Sequence, residues 1–243
     1  MDNQIKNWEQ MHRAFNTVTK GKPGPRVADS MFIAWPIVLH ILKEAVMEGS
    51  RVLDYGCGIG GFCRHLRSTG MKVEGTDFSS GMIETAAKIS HRDIRYHSGD
   101  RQTLKKMTGR FDVITSLMTF QFMKDFETHI PLLRDLLTER GLLIFAVHNP
   151  DFVEDCCRSK TAFHSLRHTG QTTTTACMEI GKRVSIDTYV RGKDDYRKLF
   201  EKYGFEYIST RFPPFTPAFI MEHNWTLPSD NAEYLIMTLR KKN

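Results

Sequence analysis

The sequence predicts an α/β fold in which a largely parallel sheet is covered by helices on both faces. Three observations predict it. Strand-like and helix-like segments alternate from Arg51 to Pro150, the pattern of successive right-handed crossover units. A glycine-rich turn follows the first of those strands, as it does where such sheets bind ligands. Two later strand-like runs, Phe205–Phe212 and Ala232–Lys242, have no helical pattern between them. They are read as antiparallel, which makes the sheet mixed.

Each element has its own warrant. Trp8, Met11 and Phe15 recur at helical spacing in Asn7–Thr17, and Gly21–Pro25 breaks that helix. A second helix runs from near Ser30 to Met47, kinked or restarted at Pro36. Residues 1–47 are thus expected as an N-terminal helical cap. RVLDYG (Arg51–Gly56) is a short apolar strand ending in an acid, and Phe62–Gly70 is a helix closed by glycine. Met71–Asp77, Asp93–Asp100, Arg110–Phe120 and Leu142–Pro150 read as the next strands, with helices at Ser80–Ile89 and Phe126–Gly141. After Pro150 the rhythm stops. Residues 151–192 are too long for an ordinary connection and are expected as a lid that binds substrate. Lys193–Gly204 returns to helix, and the whole of 1–243 is read as one domain.

Composition narrows the function. The chain has 243 residues, 40% hydrophobic and 26% charged, with 17 Gly and 9 Pro, which is globular rather than disordered. The longest apolar run, Met31–Leu39, falls short of the roughly 18 residues of a membrane span. MDNQIKNWEQ has no basic start followed by an apolar stretch, so no secretory leader is expected. The five cysteines include no CxxC pair, which disfavours a structural metal and fits a reducing cytoplasm. The net charge of +6 is spread along the chain instead of forming the stripe that nucleic-acid binding needs.

The strongest motif is VLDYGCGIGG, in which Gly56, Gly58 and Gly61 match G-x-G-x-x-G and Gly60 adds a fourth glycine. Asp54 sits at the mouth of the strand before them. A pyrophosphate there would be repelled and a cationic ligand welcomed; a turn-capping role is the competing reading. Asp77 ends the second strand, where an acid bonds ribose hydroxyls, and Phe78 either covers an adenine face or packs in the core. Asp100 ends the third strand, where it accepts from an adenine amine or caps the next helix. Cys57 is a small residue that the turn tolerates.

These residues together resemble a class I S-adenosylmethionine-dependent methyltransferase of the small-molecule type. VLDYGCGIG is similar to the family's glycine motif, VEGTDFS to its ribose-binding segment and SGDRQTL to its adenine-contacting segment. FDVITSLMTFQFM and GLLIFAVHNP are similar to its fourth-strand motif and fifth strand. The resemblance covers roughly Arg51–Pro150 and the final strand pair. It implies a Rossmann-like seven-stranded sheet of order 3-2-1-4-5-7-6 with strand 7 antiparallel. It also implies S-adenosyl-L-methionine as cofactor, S-adenosyl-L-homocysteine as product, and cofactor contacts from Asp54, Gly56, Cys57, Gly58, Gly60, Asp77, Phe78, Asp100, Arg101 and Leu117.

Methyl transfer from a sulfonium is an in-line displacement that proximity and desolvation can drive. His148 is the candidate base, with a polar strand-exit role as its competitor. Trp8, Phe15, Trp35, Phe120, Gln121, Asn149, Tyr189, Phe215 and Trp225 are the candidate substrate contacts, although loop and core packing would use the same aromatics. No metal is expected: His164 and His168 share a face only if helical, and no carboxylate pair completes them. The expected reaction methylates an oxygen or nitrogen of a small aromatic or heterocyclic metabolite of secondary metabolism, in a cytoplasmic monomer or homodimer. The alternatives are an NAD-dependent oxidoreductase, a methyltransferase acting on carbon or on a macromolecule, and a binding protein that has lost catalysis.

Overall fold

The computed structural model describes residues 25–169, 173–180 and 184–243. The expected contacts of Trp8 and Phe15, and all of the expected cap before Pro25, lie outside the described residues. Helix α1 (Pro25–Ala45) carries Pro36 inside it. Strand β1 (Arg51–Tyr55) is followed by α2 (Gly61–Ser68), β2 (Lys72–Asp77), α3 (Ser80–Ile89), β3 (Arg95–Ser98), α4 (Arg101–Lys105) and β4 (Phe111–Leu117). Then come α5 (Ile130–Leu136), β5 (Leu137–His148) and α6 (Pro150–Ser159). Strands β6 (Phe163–Thr169), β7 (Thr173–Ile180) and β8 (Val184–Val190) precede α7 (Lys193–Lys202), β9 (Phe205–Arg211), α8 (Pro217–His223) and β10 (Tyr234–Lys241).

The main sheet has seven strands in the order β3-β2-β1-β4-β5-β10-β9. This is the expected 3-2-1-4-5-7-6 arrangement. Strands β1 to β5 are parallel, and β10 runs antiparallel to both β5 and β9. Alternate side chains feed two cores. Val52, Val113, Ile144 and Ala146 face Val38 and Leu42 of α1, Leu66 of α2 and Phe152 of α6. Leu53, Ile114, Leu143 and Phe145 face Leu133 of α5 and Phe200 of α7. Burying each such side chain stabilises by about 1.5–3 kcal/mol. The first strand sits mid-sheet, so its carboxyl end opens where the strand order reverses, the usual ligand crevice of such folds.

Three local expectations are corrected. Phe126–Gly141 is not one helix: a 3-10 turn spans Phe126–His129, α5 ends at Leu136, and Leu137 already pairs with Phe111 of β4. Helical geometry ends at Leu137, which is extended at φ −77° and ψ 143°; Arg140, at φ 56°, already lies within β5. The segment after Pro150 is not irregular. It forms α6 and a separate antiparallel sheet, β6-β7-β8, with His164 and His168 on a strand and not on a helix face. Finally, the excursion between the last two strands contains α8, whose N-cap Thr216 accepts from the Phe219 amide.

The β6-β7-β8 sheet packs against the glycine-loop edge of the main sheet. Ile186 of β8 packs with Met82 of α3 and with Phe122 after β4, and Ile59 of the glycine loop and Met178 of β7 join them. Among the described residues, no helix is long and apolar enough to cross a membrane.

Candidate active site

The glycine loop is a tight, fastened turn. The Gly56 and Cys57 amides both donate to the Thr76 carbonyl at the end of β2, at 2.8 and 2.9 Å. Gly56 has φ +81°, and a Cβ there would collide with the Thr119 side chain. Gly60 has φ +74°, and a Cβ would meet the Tyr96 hydroxyl. Only glycine meets both demands at these two positions.

Asp77 and Phe78 stand beside this loop. The Asp77 carboxylate accepts from the Gly58 amide at 2.9 Å through one oxygen and from the Ser79 amide at 2.9 Å through the other. Those bonds fix the acid at the mouth of β2 and tie it to the glycine turn. Phe78 is 48% exposed, with its ring edge-on to His129. It is therefore not a core residue, and a flat apolar face stands open beside Asp77. Asp100 is exposed and caps α4 by accepting from the Thr103 amide at 2.9 Å. Those bonds from Thr103 hold its carboxyl below the usual range. Arg101, next in the chain, reaches the Thr128 carbonyl at 3.3 Å.

Asp54 lies deeper than the sequence implied. It is 3% exposed beneath the glycine loop. Thr115, its register partner on β4, donates a hydroxyl at 2.9 Å, and Cys63 of α2 donates a thiol at 3.5 Å. Burial pushes the Asp54 carboxyl up to about 6, against the lowering effect of the Thr115 and Cys63 bonds. The turn amides of Gly56 and Cys57 go to Thr76 and not to Asp54, so the acid places its charge under the loop instead of capping it. Cys57 is buried, with its thiol toward the Gly58 carbonyl. Burial also raises the Cys63 thiol well above its ordinary range, so neither sulfur is set up as a thiolate nucleophile.

The residues expected to meet a substrate lie mostly at the ends of β4 and β5. Leu117 is half-buried at the end of β4. Met118 follows with φ +57°, its amide on the Ala146 carbonyl of β5. Phe120, expected at the pocket wall, is instead fully buried against Tyr55, Phe126, Phe145 and Phe200. Its neighbour Gln121 is buried, and its Oε1 has no hydrogen-bond partner among the described residues. His148 ends β5 and is 7% exposed. Burial pushes its imidazole down to about 3, so the ring is neutral at neutral pH. Asn149 donates its side-chain amide to the Ala232 carbonyl at 2.9 Å, which pins the strand exit to β10.

The remaining candidates lie in three places. Trp35 packs on Phe62 of α2, ring centroids 5.0 Å apart. Phe215 stacks on Trp225 at 5.9 Å beneath the loop before β10. Tyr189 of β8 lies under the Arg191 guanidinium. That guanidinium also donates to the Phe120, Met123 and Lys124 carbonyls, so the chain just after β8 is tied to the loop after β4. Sequence reasoning missed Thr115, Cys63 and Glu233. Thr115 was findable from the β1–β4 register; the other two gave no signal of their own.

The methyltransferase domain family matches residues 36–210 of the chain. The chain belongs to that family, and its fold is that of the class I S-adenosylmethionine-dependent methyltransferases. An uncharacterized protein of Haemophilus influenzae is 31% identical over 158 residues, 62% of this chain and 61% of its own length. The ubiquinone biosynthesis O-methyltransferase of Coxiella burnetii is 31% identical over 116 residues, 46% of this chain and 50% of its own. The chain thus spans about two fifths to three fifths of the length of the curated relatives it matches. A putative S-adenosylmethionine-dependent methyltransferase from Listeria monocytogenes shares the fold, with TM-score 0.64, 19% identity, and 84% and 96% of the two chains covered.

The residues present fit an adenosyl cofactor. A carboxylate ends β2, an open aromatic face follows it, and a buried acid sits below a glycine turn that lets a ligand approach the backbone.

Proposed function

We propose that the protein transfers a methyl group from S-adenosylmethionine to an oxygen or nitrogen of a small aromatic or heterocyclic metabolite. The observation that carries this reading is the Asp77 carboxylate, held by the Gly58 and Ser79 amides beside the exposed Phe78 ring. A ribose would be bonded by Asp77 and an adenine covered by Phe78, with Asp100 and Arg101 at the adenine's edge. Asp54 would favour the cationic end of the cofactor through the loop above it.

The bound cofactor supplies a methyl carbon on a sulfonium, an already activated leaving group. The chain's task is then alignment and exclusion of water. Phe122, Ile186, Met178 and Ile59 seal the cofactor edge with apolar groups, which supports reading residues 151–192 as a lid. Gln121, His148 and Asn149 would orient the acceptor. Trp35, Tyr189, Phe215 and Trp225 would wall the approach, and Phe120 acts only as packing beneath them.

The test is a methyl-transfer screen with isotopically labelled S-adenosylmethionine against phenols, carboxylic acids, ring nitrogens and activated ring carbons. Label in phenols or ring nitrogens supports the reading. Label confined to ring carbons, or transfer to nucleic acid or protein alone, contradicts it.

A further inference from the structure

Outside the cofactor edge, the described residues hold one buried acidic cluster in contact with a candidate site residue. Glu233 immediately precedes β10 and is 8% exposed. Its Oε1 lies 3.9 Å from His148 Nε2. Its carboxyl is hydrogen-bonded to that of Asp29 on α1, and Tyr234 joins both acids. Tyr234 is the cross-strand partner of His148, with the two rings 25° from parallel. The cluster therefore ties three elements together, α1, β5 and β10.

Two carboxyls in hydrogen-bond contact in a buried site share a proton, since both cannot ionise there at low cost. Burial accordingly lifts Glu233 well above the ordinary carboxylate range, with the Asp29 charge adding to the effect. The pair keeps one negative charge and presents a carboxyl oxygen to Nε2. A ring nitrogen facing such an oxygen carries the proton. Nδ1 is then left with a free lone pair, and it is buried with no hydrogen-bond partner among the described residues. The groups around the ring are otherwise apolar: Phe163 of β6 at 4.9 Å and Phe122 of the loop after β4 at 6.5 Å, both edge-on. The titratable neighbours are Glu233, Asp29 and Tyr234, with Cys156 of α6 in the field of Glu233. Gln121, in the same loop as Phe122, carries a second buried acceptor atom without a partner.

We propose that Glu233, backed by Asp29, is a positioning residue that holds His148 in the Nε2–H tautomer, so that Nδ1 accepts a proton from a methyl acceptor bearing O–H or N–H. This rests on the methyl-transfer reading above and narrows it to acceptors with a proton to lose. The acceptor's lone pair forms the bond to the methyl carbon, and the carbon–sulfur bond breaks with its electron pair going to sulfur. The acceptor's proton passes to Nδ1; burial holds the free ring at about 3, so the Asp29–Glu233 charge must offset that burial for the imidazolium to form. The distance of 3.9 Å is just beyond hydrogen-bond reach, and such contacts tighten when substrate binds.

The test is nitrogen-15 spectroscopy of histidine-labelled full chain with S-adenosylhomocysteine added, comparing wild type, Glu233→Gln and Asp29→Asn. The His148 signal is assigned by its loss in His148→Gln. The expected wild-type result is the Nε2–H tautomer between pH 6 and 8, with its preference weakened in both acid variants. An Nδ1–H tautomer in the wild type overturns the proposal. For any acceptor found in the screen, Glu233→Gln is expected to lower kcat at least tenfold and move its pH profile, with KM changed less than twofold and Glu233→Asp partly restoring turnover. Unchanged kcat and pH profile in Glu233→Gln, or a loss that follows thermal stability alone, also overturns it. The tautomer is read without any acceptor, so its outcome is separate from that of the methylation screen.

Discussion

The Thr115 hydroxyl donates to the Asp54 carboxylate at 2.9 Å across adjacent strands, placing a buried acid under the glycine loop. The arrangement costs stability. An unfolded Asp titrates near 3.8, whereas folded Asp54 titrates at about 6. Between those values the folded chain holds the extra proton. Stability therefore falls as pH rises from about 4 to about 6, and the full cost, about 3 kcal/mol, persists above that window. Asp54→Asn is expected to flatten this slope in urea titrations and to raise stability at pH 7. It is also expected to weaken binding of S-adenosylmethionine, a cation, more than binding of neutral-sulfur S-adenosylhomocysteine. An unchanged ratio of the two affinities would remove the electrostatic role from Asp54.

Thr115→Val keeps the shape of that partner and removes its donor. The buried carboxylate then loses a hydrogen bond worth about 1–3 kcal/mol. Chemical denaturation at pH 7 should show that loss, and it should shrink below pH 5, where Asp54 is protonated in the folded state.

Asp77 holds two backbone amides and is the expected ribose partner. Asp77→Ala removes charge-assisted bonds of about 1.5–3 kcal/mol. Calorimetry is expected to show S-adenosylhomocysteine affinity reduced by about ten- to a hundredfold. A change of under twofold would place the ribose elsewhere.

Arg191, just after β8, joins the loop after β4 through three carbonyls and lies over the Phe126 and Tyr189 rings. Arg191→Ala is expected to destabilise by about 2 kcal/mol. Arg191→Lys should recover little of that, because an ammonium lacks the planar fork. Thermal unfolding of both variants checks this. Full recovery by lysine would reduce the contact to simple charge.

Much of the fold was legible because its signals are local. Short apolar runs such as Arg51–Tyr55 and Leu142–His148 must be buried on both faces, and the helices between them carry their own stops. The glycines of the first turn and the acid at Asp77 sit at fixed offsets from strand ends, so the tight turn and the acid tied to it could be read from spacing. The lid could not. Thr173–Ile180 is polar enough to pass for loop, and it becomes a strand through pairing with partners on either side. Phe120 and Phe122 are two residues apart, yet one enters the core and the other meets the lid, a choice set by tertiary packing. The meeting of His148 with Glu233 and Asp29 depends on β10 returning beside β5 and on α1 crossing over it, which no local pattern encodes.

The proposed function requires that the crevice at the ends of β1 and β2 hold an adenosyl cofactor and not a dinucleotide. Calorimetric titration of the purified chain with S-adenosylhomocysteine, and in parallel with NADH, tests it most directly. Micromolar binding of S-adenosylhomocysteine without NADH binding is the result predicted. NADH binding in the absence of S-adenosylhomocysteine binding would contradict the account, including the role given to Asp54.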